Sequence, residues 1–163
     1  MGCGVAPIAF SLLPPLPPAL RARRLTALRL RELRRLAIAP VPPRSEDWEG
    51  RVYGRLAAVP DEAEPLQRAR LLAALSVGTE IIHLRHIVPR FREAAELNAA
   101  LAAFAQANST IAIARLRQLD RRLPSGPDAE PEAAIALRTR SRILVISEAL
   151  AEHASYFDAG APA

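Results

Sequence analysis

Apolar positions recur at helical spacing along almost the whole chain, and prolines mark the interruptions. The first periodic segment runs from near Pro18 to just before Pro40. On a helical wheel, Arg21, Arg24, Arg31, Arg34 and Arg35 share one side, and Ala22, Leu25, Leu30, Leu33, Leu36 and Ala37 share the other. A second helix is expected from Ser45, an N-cap followed by Glu46, Asp47 and Glu49 at the positive helix end. It continues through Trp48, Val52, Leu56 and Val59 to Pro60. The third starts within the segment Asp61 to Pro65 and has two apolar faces. One carries Leu71, Leu75, Gly78 and Ile82; the other carries Leu66, Val77, Ile81, Leu84 and Val88. A helix apolar on two sides lies between neighbours, so this one is expected at the centre.

Pro89 is expected to end that helix and open a fourth, with Leu97, Leu101 and Phe104 inward. Asn108-Ser109 reads as a break and a new cap, followed by a fifth helix carrying Ile111, Ala112, Leu116, Leu119 and Leu123. The run from Leu123 to Asp128 is a Pro/Gly loop, and Pro131 starts a last helix striped by Ile135, Ile143, Ile146, Leu150 and Phe157. The fold expected is all-α: a basic amphipathic arm helix followed by an antiparallel bundle of about five helices. The boundaries expected are a Pro-rich breaker over 1–18, the arm over 19–39, a Pro linker over 40–44, the bundle over 45–158 and a disordered tail over 159–163. Ala74 and Gly78 form a small-xxx-small pair. A mid-helix glycine costs roughly 1 kcal/mol relative to Ala, so close packing is the expected compensation.

Composition supports the helical reading: Ala and Leu dominate, and aromatic residues make up only 4% of the chain, too few for a base-stacking surface. The charge is unevenly placed. Residues 1–44 hold eight Arg against Glu32 alone, a net of +7; the other 119 residues hold 14 Arg against 16 acidic residues, a net of −2. The excess sits beside a short apolar run, Val5 to Leu13, which ends at Pro14-Pro15-Leu16-Pro17-Pro18. Apolar segment, breaker and cationic flank is the order expected where a transmembrane helix exits on the cytoplasmic side. The run is too short to span, since a spanning helix needs about 20 apolar residues. It therefore reads as the tail of a span whose body is missing. A secretory signal would need its basic region first, and Ala6 lacks the hydroxyl of a myristoylation motif.

Catalytic chemistry finds no foothold in the sequence. Cys3 is the lone cysteine, so no disulfide forms within the chain. No Gly-rich phosphate loop and no nucleophile elbow occurs. Glu80-x-x-His83 resembles half of a di-iron bundle site, but a second such pair is missing, and a polar patch is the simpler reading. His83 and His86 diverge, and His153 reads as a partly buried, satisfied histidine. No catalytic, cofactor-binding or metal-binding residue is expected, and no cofactor. The basic helix, through Arg21, Arg24, Arg31, Arg34 and Arg35, is expected to meet an anionic membrane surface, where each nearby Arg contributes about 1 kcal/mol. Nucleic acid or an acidic protein partner is the alternative, weakened by the net acidic body of the domain.

The stretch Trp48-Glu49-Gly50-Arg51-Val52-Tyr53-Gly54-Arg55-Leu56 with Pro60, and the stretch Leu71 to Ile82 closing with Leu84-Arg85, carry a resemblance. With Leu12-Leu13-Pro14-Pro15, Arg24-Leu25 and Leu33-Arg34-Arg35-Leu36-Ala37, they resemble the C-terminal part of the fusaric acid resistance (FUSC) family of bacterial inner-membrane proteins. The likeness extends over residues 8–123; Gly54 departs from it, standing where an acidic residue is expected. The resemblance implies a multi-span efflux protein for aromatic carboxylic acids that works with a periplasmic adaptor. This region would be its cytoplasmic, non-catalytic terminal domain, in contact with the transmembrane part and able to form a homo-oligomer. No membrane-spanning segment is expected within the chain itself.

Overall fold

The computed structural model describes residues 18–56, 65–124 and 132–160. The N-terminal apolar run and Pro-rich breaker with Cys3, the end of the second predicted helix at Val59-Pro60, the loop through Ser125 to Asp128, and residues 161–163 of the tail lie outside them. The described residues are helical, with no strand among them. In chain order they are α1 (Pro18–Ile38), α2 (Ser45–Leu56), α3 (Pro65–Ile87), a 3-10 turn (Val88–Phe91), α4 (Ala94–Ala105), α5 (Ser109–Arg122), α6 (Glu132–Glu152) and α7 (Ala154–Phe157).

α3 is the central helix. It packs on α6, α1 and α2, and buries Leu71, Ala74, Val77, Gly78, Ile81, Ile82 and Leu84. Leu66, expected inward, is half exposed in the first turn, and Gln67 is buried instead. α1 packs on α3 and α4 and contributes Leu30, Leu33, Leu36 and Ala37 to the common core. α4 and α5 form the tightest helix pair, and α5 also packs on α6. Ile111 faces solvent rather than the core, since it lies well off the wheel position of Ala112, Leu116 and Leu119.

Two predicted boundaries move. Pro89 does not open α4; it sits in the 3-10 turn, which ends at Arg92 in the left-handed region (φ 60°) before α4 begins at Ala94. A proline in a first turn suits either structure. The last predicted helix is broken at His153, whose carbonyl accepts from both the Tyr156 and Phe157 amides. The break turns Phe157 into the core, edge-on to Phe104 with ring centroids 5.9 Å apart.

The α4–α5 corner closes as a Schellman-type turn: the Asn108 amide donates to Ala103 O and the Ala107 amide to Phe104 O, with Ala107 at φ 61°. The Asn108 side chain then caps α5 by accepting from the Ile111 amide at 3.0 Å. Asp158 adds a carboxylate at the same helix end, taking the Ser109 amide at 2.8 Å and its hydroxyl at 2.7 Å.

By length and composition alone, the segment Pro65–Phe91 is long and apolar enough to cross a membrane. Its apolarity answers to its place between α1, α2 and α6, and 44% of its most apolar window is buried inside the bundle.

Candidate functional site

α1 positions the predicted basic residues. Its inward stripe pins the helix to α3 and α4, so the opposite side faces outward from Leu20 to Ile38. Arg24, Arg31 and Arg35 are exposed there. Between them stand Leu20, Leu28 at 57% exposure and Ile38 at 61%, so the outward face mixes guanidinium groups with large apolar side chains. The Arg21 side chain lies outside the described residues. Arg34 is placed differently from the other four. It is half buried, and its Nη2 donates to the carbonyls of Phe157 at 2.7 Å and Ala159 at 2.8 Å. Burial lowers the Arg34 pKa from its usual value, and the charges of Asp158 and Tyr156 oppose that shift.

Arg29, which the charge pattern did not single out, points into the protein. It falls on the apolar side of the wheel and is only 5% exposed. It donates to Glu32 Oε2 at 3.1 Å and to the Arg51 carbonyl of α2 at 3.2 Å. A polar residue on an apolar stripe is the signal that would have found it. Arg85 and Arg140 act in a related way on helix ends. Arg85 donates to Leu36 O at 3.1 Å and Pro40 O at 3.5 Å, closing the C-terminus of α1. Arg140 donates to Leu123 O at 2.9 Å and Pro124 O at 3.4 Å, just past the end of α5. The last carbonyls of a helix lack intrahelical donors and carry its partial negative charge, so a forked cation from a neighbour satisfies both needs.

Glu80 and His83 form part of an interhelical polar cluster. Arg142 of α6 donates through Nη1 to Glu80 Oε2 and to His83 Nδ1, and Ser45 Oγ lies 3.3 Å from His83 Nε2. The cluster links α2, α3 and α6. His86 bonds back to Ile82 O at 2.7 Å, and His153 is partly buried beside α7. Among the described residues no group of three or more His, Cys, Asp or Glu is placed to hold a metal ion.

Ala74 and Gly78 are both buried on α3. The close packing expected at Gly78 is made by the indole of Trp48. A Cβ on Gly78 would lie 2.3 Å from Trp48 Cζ2. The ring is 2% exposed and donates through Nε1 to Leu75 O at 3.4 Å.

The fold is thus an all-helical bundle that turns some arginines onto its own helix ends and presents others, with leucine and isoleucine, to the outside. Compared with known protein families, residues 1–162 match the fusaric acid resistance protein family, and the chain belongs to that family. It is accordingly a membrane-associated, transport-related protein. No curated protein sequence and no solved structure matches the chain.

Proposed function

We propose that the chain serves as a cytoplasmic, non-catalytic domain of an efflux transporter for aromatic carboxylic acids. It would lie against the bacterial inner membrane and support assembly or regulation of the transmembrane part. The observation that carries this reading is the outward face of α1, where Arg24, Arg31 and Arg35 alternate with exposed Leu20, Leu28 and Ile38. Cations interleaved with large apolar groups suit the boundary between lipid headgroups and acyl chains. Family membership supplies the transport context. Three arginines near an anionic leaflet contribute about 3 kcal/mol, less than the roughly 4 kcal/mol of a millimolar complex. The face therefore orients the domain, and anchoring falls to the apolar side chains and the transmembrane part.

Sedimentation with phosphatidylglycerol-containing vesicles tests the reading. Binding is expected to exceed that to zwitterionic vesicles and to fall as salt rises. It should weaken when Arg24, Arg31 and Arg35 together become Gln; Arg34 is left intact because it holds the C-terminal segment. Unchanged sedimentation of that triple variant would refute the proposal. Retention of random duplex DNA without vesicle binding would point instead to a nucleic-acid partner.

A further inference from the structure

Two surface clefts contain several charged side chains, and their charge balance differs. The cleft between α5 and α6, about 520 Å³, is lined by Arg117 and Arg140 on one side of the balance and Asp120 and Glu148 on the other. Arg140 Nε lies 3.4 Å from Asp120 Oδ1, so this cleft answers its own charges. The other, about 460 Å³, lies where α1, the start of α3 and the C-terminal segment meet. Arg31, Arg34 and Arg70 line it, and among the described residues no carboxylate lines it, although Asp158 lies close enough to act on Arg34.

Gln67 and Arg34, both lining this second cleft, each carry a buried atom without a hydrogen-bond partner, Gln67 Oε1 and Arg34 Nε. Such atoms are uncommon in folded proteins. Ala27, Leu30 and Ala159 supply an apolar portion of the wall.

We propose that this cleft binds a small organic phosphate. Its phosphate meets the guanidinium groups of Arg31, Arg34 and Arg70, and the organic part lies on Ala27 and Leu30. Three forked cations with no lining carboxylate match a phosphate monoester, which carries about −1.5 to −2 at neutral pH, better than a monocarboxylate. The same group occurs on a soluble sugar or glycerol phosphate and on phosphatidic acid. The two readings share Arg31 of α1, whereas Arg70 and Gln67 of α3 belong to the cleft alone and so test it separately.

Titration calorimetry of the full chain with glycerol 3-phosphate tests it. Binding is expected, and Arg70→Gln should weaken it about tenfold or more, the effect of losing one charge-assisted contact. Gln67→Glu should abolish it by placing a carboxylate in the cleft. Circular dichroism confirms that each variant is folded; Arg70 is partly exposed, so its loss leaves the core intact. Vesicles containing phosphatidic acid form the second arm. If Arg70→Gln also lowers sedimentation with them, the phosphate is a lipid headgroup. If sedimentation is unchanged while glycerol 3-phosphate binding falls, the ligand is soluble. Loss of vesicle binding in an Arg24→Gln, Arg35→Gln variant with intact glycerol 3-phosphate affinity would separate the cleft from the membrane-facing side. The proposal is overturned if the chain shows no heat of binding at millimolar ligand, or if folded Arg70→Gln and Gln67→Glu proteins retain the parent affinity.

Discussion

Replacing Gly78 by Ala sets two opposing effects against each other, and the structure decides between them. In an open helix the change stabilises by about 1 kcal/mol, because glycine is the poorer helix former. Here the added Cβ would lie 2.3, 2.5 and 2.7 Å from Cζ2, Cε2 and Nε1 of Trp48. Carbon atoms in contact prefer about 3.5–4.0 Å, so the indole must retreat by more than about 1 Å. The ring is rigid, buried and hydrogen-bonded to Leu75 O, so the retreat moves α2 off α3 rather than one flexible side chain. Overpacking of this kind costs up to about 3 kcal/mol, leaving a net loss of about 2 kcal/mol after the helix gain. For a chain of this size that lowers the melting temperature by about 4–8 °C. Trp48 is the single tryptophan, so its fluorescence reports the local change and the urea transition together. In a Trp48→Leu background the clash is gone and Gly78→Ala should become neutral or stabilising. A stabilising Gly78→Ala in the parent, or equal effects in both backgrounds, would show that the indole is not what requires the glycine.

Burial raises the Tyr156 pKa from 10.0 to about 12, with Arg29, Arg70 and Arg34 opposing the shift. Between those pH values the unfolded chain releases the proton and the folded chain keeps it. Stability should therefore be intact below pH 10 and fall by about 2–3 kcal/mol toward pH 12, with the steepening absent in Tyr156→Phe. Arg92 is exposed at φ 60°, so Arg92→Gly should raise stability by about 0.5–1 kcal/mol in a chemical melt; a loss would mean that its side chain contributes more than its backbone costs. Arg29→Ala removes the cation that bonds Glu32 and the Arg51 carbonyl, and should cost about 3 kcal/mol, whereas Arg29→Met with Glu32→Leu should recover most of it. A double variant no more stable than Arg29→Ala would show that the packing of the pair, not its charge, is what matters.

The helices were legible because local chemistry sets them. Pro18 in a first turn and the Asn108 cap stand where the sequence placed them; Ser45, read as a cap, is instead the first residue of α2, with Arg44 O taking the first helical bond and the Ser45 hydroxyl on His83. The centrality of α3 was legible from its two apolar faces. What escaped the sequence depends on distant partners. The break at His153 lets Phe157 meet Phe104, fifty-three positions away in the chain, and no local signal records that contact. The Ala74–Gly78 spacing announced a close approach without naming Trp48 as the group that makes it. Arg142 entered the Glu80–His83 cluster from α6, which neither residue's own helix foretells.

Arginine itself is the clearest case of this divide. Periodicity sorted the α1 arginines by direction, and direction alone assigned them one role. The structure divides them by partner. Arg34 faces carbonyls at the end of α7, as Arg85 and Arg140 do at α1 and α5. Arg24, Arg31 and Arg35 face outward. The chain has no lysine, so every cation is a planar fork able to donate to two acceptors at once. Between helices such a fork suits paired carbonyls; at a surface or in a cleft it suits the oxygens of a phosphate. A uniform exchange of arginine for lysine would keep the net charge while weakening both uses. Loss of stability should track Arg34, Arg85 and Arg140, and loss of anion binding should track the outward arginines, Arg34 and Arg70.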